Sequence, residues 1–230
     1  MRVRNFLVLM AISFVLLGSA AGVSGEGGYR VVVKIADVTA TSADSLIRVP
    51  VQISFPKDTL AGVEMYFTID ENRNVHFASD DVRPDGLSRA VDTAGTIMSG
   101  WEWVDVNTLE NTMFDLKMAG LADWPDQEMT APVSPRDSAI LTTLYLRLDD
   151  TYPLTAGTRF DIRINSKKSG FSDPTGNSIG VVTTHQKVCA QYIGDSCARW
   201  QVARVGVLDT TVVGFKNGSI TIVGDETPAH

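Results

Sequence analysis

Few residues in this 230-residue chain could do catalytic chemistry, and their spacing argues against most catalytic schemes. The only histidines are His76, His185 and the terminal His230. Neither internal histidine sits in a GxSxG or HExxH sequence, the local patterns that expose a nucleophile on a sharp turn or put two metal ligands on one helix face. A Ser-His-Asp triad can be assembled from distant positions, but no residue here nominates one. The carboxylate pairs Asp80-Asp81 and Asp149-Asp150 are adjacent in sequence. Neighbouring side chains of an extended chain leave on opposite faces, so each pair reads as solvated turn residues rather than the acid and base of a glycosidase. Asp80, Asp81, Asp85 and Asp92 offer the oxygens that calcium prefers, yet without the spacing of a D-x-D-x-D-G loop. The expectation is a protein that is not an enzyme, with no metal and no cofactor assigned.

Binding is better represented. Trp101 and Trp103 lie two apart in Thr96 to Val106, which reads as a strand, so they share a face. Tyr66 and Tyr145 lie on the polar sides of their own predicted strands. An outward aromatic row stacks on sugar rings or anchors a protein partner. An inward one is simply core, where large aromatics usually go. Tyr66, Trp101, Trp103 and Tyr145 are therefore the candidate binding residues, and burial decides between the two readings. The two cysteines, Cys189 and Cys197, flank a Gly194-Asp195 turn and read as a local disulfide in an exported chain. A metal site would need a second Cys or His pair nearby, and none is present.

The elements that must position these residues are strands. In Ser45 to Asp70, Ile47, Val49, Val51, Ile53 and Phe55 alternate with Arg48, Gln52 and Ser54. After a turn, Val63, Met65, Phe67 and Ile69 alternate with Glu64, Tyr66, Thr68 and Asp70. Period-two runs bury one face and wet the other, and two such strands need a second sheet over them. Pro50 cannot donate to a ladder, which predicts an edge strand or an unpaired position. Further strands are predicted at Arg30 to Val38, Val75 to Ala78, Thr96 to Val106, Thr112 to Met118, Ala139 to Leu148, around Phe160 to Ile164, and at Gly214 to Val223. Gly120 to Asp137 carries three prolines and reads as irregular. About nine strands at this spacing describe a single all-β sandwich. Val181 to Thr211 is an elaboration too short for its own core.

The ends and the charge bound the class. Residues 1–21 read as a signal peptide, with Arg2 and Arg4 before the apolar run Phe6 to Leu17 and small residues at Ser19-Ala20-Ala21. That run is short for a membrane span, and no other stretch is long enough. Residues 22–29 read as a linker, 30–224 as the sandwich and 225–230 as a tail. The expected location is extracellular or at the cell surface, with no membrane span after cleavage. The formal charge is -7, and losing Arg2 and Arg4 makes it two units more negative. Scattered acids of this kind argue against a nucleic-acid partner, which needs clustered Lys and Arg.

Four segments, in order, resemble one family: SADSLIRVPVQIS; LAGVEMYFTID; SAILTTLYLRL followed by TAGTRFDI; and FSDPTGNSI with the terminal NGSITIV. Together they span most of Val33 to Val223, and their order is similar to that of the cohesins and related bacterial carbohydrate-binding sandwiches. The chain departs from that pattern at Asp137-Ser138, where a glycine is usual, in the Pro-rich Ala122 to Pro135, and in the inserted cysteine clamp. The resemblance implies a nine-stranded jelly roll and a non-catalytic receptor. Its flat sheet face would take a dockerin-like module or a polysaccharide, within an extracellular polysaccharide-handling assembly. A structural or adhesin-like surface domain without a specific carbohydrate ligand is the other reading, and exposure of Trp101 and Trp103 separates the two.

Overall fold

The computed structural model describes residues 30–70, 74–79, 90–108, 113–122, 132–149, 154–194, 196–224. The predicted leader, linker and tail, and Asp80, Asp81, Asp85 and Asp150, lie outside these. The described residues form fifteen strands and no helix. Six strands make one sheet and seven the other, with a two-stranded ribbon apart from both.

The six-stranded sheet is built on β3 (Leu46–Phe55), flanked by β1 (Val31–Ile35) and β9 (Arg136–Leu148). β5 (Val75–Phe77) and β6 (Val91–Asp92) pair with the far side of β9, and β14 (Val213–Lys216) runs parallel to β1. The seven-stranded sheet runs from β2 (Val38–Thr41) through β15 (Gly218–Val223), β10 (Arg159–Ile164), β4 (Gly62–Ile69) and β8 (Asp115–Leu121) to β7 (Trp103–Thr108). β11 (Gly170–Ser172) adds to β4. The ribbon is β12 (Val181–Ile193) with β13 (Ser196–Leu208). This is the expected sandwich, with more and shorter strands than the nine predicted.

The alternation in the sequence places the core as expected. Ile47, Val49, Val51, Ile53 and Phe55 from one sheet meet Val63, Met65, Phe67 and Ile69 from the other, all buried. Some of the expected strands need correction. The strand predicted over Arg30 to Val38 is two strands, because the chain leaves one sheet at Ala36-Asp37 and joins the other. The final strand breaks likewise at Asn217, between β14 and β15. These crossovers lie side by side: Ser219 Oγ donates to Asp37 Oδ1 at 2.7 Å, and Asn217 Oδ1 accepts from Ile164 N.

Pro50 lies in a central strand, not at an edge. Its carbonyl accepts from Ala36 N at 2.9 Å, just past the end of β1. N and O of one strand residue point to the same side, so the missing N–H falls where β1 has already ended and no ladder bond is lost.

The strand predicted from Thr96 to Val106 begins only at Trp103. Gly95 and Gly100 adopt φ of 70° and 85°, a left-handed conformation that a strand excludes. They fold Met98 and Trp101 down onto β8.

The sequence FSDPTGN forms a tight turn after β11. Asp173 Oδ1 accepts hydrogen bonds from Thr175 N, Thr175 Oγ1 and Asn177 N. Burial opposes ionisation of Asp173, but these bonds outweigh it and hold the carboxyl below its ordinary value. The sign follows from that direction. The turn's contribution to stability is complete above the unfolded value of about 3.9, and it is lost as pH falls through the lower folded value. Asp173→Asn should therefore lower the melting temperature at pH 6 and by less at pH 2.5. A difference between variant and wild type that stays constant across that range would refute the assignment.

Candidate binding face

The outward side of the seven-stranded sheet carries the most developed polar and aromatic cluster among the described residues. Register brings it together: Tyr66 on β4 lies opposite Lys117 on β8, which lies opposite Asn107 on β7. Cross-strand neighbours on one face are about 5 Å apart, close enough for their side chains to meet. Glu64 accepts from both Lys117 Nζ at 2.8 Å and Tyr66 Oη at 3.1 Å. The Lys117 ammonium stands 5.5 Å from the Tyr66 ring centroid, and that of Lys168 stands 5.6 Å away.

Local sequence explains how Tyr66 is held. β10 pairs with β4 over Phe67 to Ile69 and β11 pairs with it over Gly62 to Glu64, which leaves Tyr66 between them. The loop Asn165 to Ser169 fills that gap: Tyr66 N donates to Ser169 Oγ, and Asn165 N donates to Tyr66 O at 2.9 Å. The same loop carries Lys168 to the ring. Partial burial, then the nearby Glu64 carboxylate, push the Tyr66 hydroxyl above its ordinary value. Burial pulls Lys117 down, but its bond to Glu64 outweighs this and raises it. Both side chains thus keep their neutral-pH charge states, one phenol and one ammonium, on a firm backbone.

The four aromatic candidates do not gather. Tyr66 and Trp103 share the outward face of this sheet, with Trp103 two strands away and four residues further along, opposite Leu121. Tyr145 is on the far side of the sandwich, where Arg48 covers its ring at 5.6 Å and its hydroxyl donates to Asp92. Trp101 is 8% exposed and part of the core, so it is not an outward binding residue. Its ring lies over Gly120, where an added Cβ would be 3.0 Å from Cε3, and its indole N–H has no partner among the described residues. The pairing of Trp101 with Trp103 on one strand face fails for the reason given above: only Trp103 is in the strand.

Sequence reasoning did not single out Lys117, Glu64 or Lys168 as site residues. Glu64 shares the outward alternation of Tyr66, and Lys117 that of TMFDLKM, so both were findable. Lys168 sits in a loop with no periodic signal. His76 is half-buried on β5 opposite Arg147, and His185 is exposed on the ribbon opposite Arg204. Among the described residues, no group of three or more His, Cys, Asp or Glu could hold a metal. Asp92, the one described member of the acidic set, accepts from Tyr145 and from Ala94 N. Cys189 and Cys197 form the expected disulfide, with Cα atoms 5.6 Å apart near the tip of the ribbon.

No protein-family model matches the sequence, and no curated protein matches it. Solved structures do match, and they define a class: the chain has the fold of the cohesin modules. The third cohesin of ScaC from Acetivibrio cellulolyticus, solved with the ScaB dockerin, superposes with a TM-score of 0.52 at 14% identity, over 84% of this chain and 99% of that one. A non-cellulosomal cohesin from the archaeon Archaeoglobus fulgidus gives 0.49 at 14% identity, over 86% and 94%. A type I cohesin of the Coh-OlpC-Doc435 complex from Clostridium thermocellum gives 0.48 at 12%, over 89% and 100%. The family resemblance noted in the four sequence segments is thus met by the fold.

Proposed function

We propose that this protein is an exported, non-catalytic binding module that takes a dockerin-type protein partner on the outward face of its seven-stranded sheet. One observation carries the reading: the outward face of paired strands holds Tyr66 between Lys117 and Lys168, with Trp103 on the same face. Rigid aromatics among charged neighbours are the residues that dominate protein interfaces, because they bury area with little loss of conformational freedom. The opposite sheet offers Tyr145 alone of the four candidates. The fold shared with the ScaC cohesin, itself solved with a dockerin, supports the same partner class. The leader-like residues 1–21 support export, and a polysaccharide-handling assembly is the setting that resemblance to cohesins suggests.

The experiment is a calorimetric titration of the protein with calcium-loaded dockerin modules, and in parallel with soluble polysaccharides. Binding to a dockerin is expected, and Tyr66→Ala should weaken it at least tenfold with the strand circular dichroism unchanged. Lys117→Glu should weaken it as well, by placing a second acid beside Glu64. Tyr145→Ala, on the other face, should leave affinity within about twofold. Failure of the folded wild type to bind any dockerin would overturn the proposal. Polysaccharide binding alone would replace the partner class, and no binding at all would favour the structural, adhesin-like reading.

A further inference from the structure

The ribbon β12–β13 is the least explained part of the molecule. Its strands pair with each other over thirteen residues each, and neither joins the two sheets of the sandwich. Beyond its root, where Asp209 N donates to Gly180 O, it stands as an arm. Two-stranded ribbons are marginally stable in water, and the Cys189–Cys197 disulfide clamps this one near its tip.

The arm also concentrates exposed apolar surface. Six of the nine large exposed hydrophobic residues among those described are on it: Val182, Tyr192, Ile193, Trp200, Val202 and Val207. Trp200 is 53% exposed and Val202 72%. Cross-strand partners share a face, and the register therefore sorts the arm. One face carries the pairs His185 with Arg204, Lys187 with Val202, and Cys189 with Trp200. Lys187 Nζ lies 5.5 Å over the Trp200 ring. The other face holds Val182, Val188, Val205 and Val207 with small and polar neighbours. The first face thus sets the apolar Trp200 and Val202 beside two cations, Lys187 and Arg204, a mixture of apolar and charged surface of the kind that interfaces use.

Charge indicates what covers it. The arm, residues 181–208, has the cations Lys187, Arg199 and Arg204 against the single acid Asp195, while the whole chain carries -7. The remainder is therefore two units more acidic than the chain as a whole. A basic arm on an acidic body is complementary to another copy of the same body. Dimensions agree. Thirteen residues at about 3.3 Å each reach roughly 40 Å, about the diameter of a domain of this size. A ribbon about 10 Å wide then offers roughly 400 Å² per face. Two arms, each covering an equal area of the other copy's body, bury roughly 1,600 Å², the size of a standard stable interface.

We infer that the arm is a dimerisation element: the basic, tryptophan-bearing face of each arm clasps the acidic sandwich of a second copy, reciprocally about a twofold axis. A reciprocal clasp closes on itself and gives a dimer rather than a filament. It is independent of the dockerin reading, because the arm and the Tyr66 face are separate surfaces.

The test is sedimentation velocity of the purified protein across micromolar concentrations at about 50 mM and about 500 mM salt, since screening weakens opposite-charge contacts. A dimer is expected at low salt, with its dissociation constant raised at least tenfold at high salt. Trp200→Ala with Val202→Ser should raise it at least tenfold at low salt, and the triple change Lys187→Glu, Arg199→Glu, Arg204→Glu should give a monomer. An arm-shortened chain, with a Gly-Ser turn in place of residues 182–207, should be monomeric with the melting temperature of the sandwich retained. A wild type that stays monomeric at both salts overturns the inference. So does a dimer that survives arm shortening, or one that tightens with salt, as arm-to-arm apolar pairing would.

Discussion

Val51→Asp should abolish the cooperative unfolding transition, while Gln52→Asp, one residue further along the same strand, should leave the melting temperature within about 2 °C of wild type. Val51 is fully buried, between Ile35 of β1 and Thr142 of β9. Removing it forfeits about 1.5 to 3 kcal/mol of apolar burial. The aspartate that replaces it would have no cation partner in an aliphatic core, which costs several kcal/mol more whether it ionises or takes a proton. The sum is comparable to the whole stability of a typical domain, about 5 to 15 kcal/mol. Gln52 is exposed and stands opposite Lys34 on β1. An aspartate there gains a cross-strand cation, worth a few tenths of a kcal/mol. Thermal melts by circular dichroism give the comparison directly, and equal melting temperatures would mean that the inward and outward faces of β3 are reversed.

The second large effect is expected at Gly218, where the chain enters β15 beside the first crossover. A Cβ added at this glycine would stand 2.5 Å from the Ala36 carbonyl oxygen and 2.7 Å from that of Ile35. These are backbone atoms fixed by the β1–β2 switch between sheets, so no side chain can rotate out of the way. Gly218→Val must push the two crossovers apart, which strains β1, β2, β14 and β15 together. A loss of about 3 kcal/mol or more in urea unfolding is expected. Gly170→Ala is the control, since nothing lies within 4 Å of its added Cβ, and it should cost less than about 1 kcal/mol. A Gly218→Val protein as stable as the Gly170→Ala control would show that the crossover has room that the structure does not give it.

The sequence by itself determined the faces of the strands and the clamp. The inward set of β3 and β4, from Ile47 to Phe55 and from Val63 to Ile69, is buried as the alternation implies. Strand side chains leave alternately by local backbone geometry, so the pattern needs no knowledge of the partner strands. Cys189 and Cys197 bracket their own turn, so their pairing too is a local matter. Each of the four segments with the order of a cohesin contributes to a strand of the fold, although FSDPTGNSI is mostly the turn that follows β11.

The tertiary structure alone decided where those faces meet. Tyr66 and Tyr145 each follow the outward rule, yet they end on opposite sides of the sandwich, because β4 and β9 belong to different sheets. The positive φ of Gly95 and Gly100 keeps Trp101 in a turn and out of the strand that begins at Trp103, and an alternation count reads straight through that turn. Lys117 reaches Tyr66 through a strand pairing across about 50 residues and Lys168 through a loop contact across about 100, and no short window of sequence contains both partners. The chain switches sheets at Ala36-Asp37 and Asn217 for the same kind of reason. A strand's own residues fix which way its side chains point, but only closure against distant strands fixes which sheet it joins and what its outward residues touch.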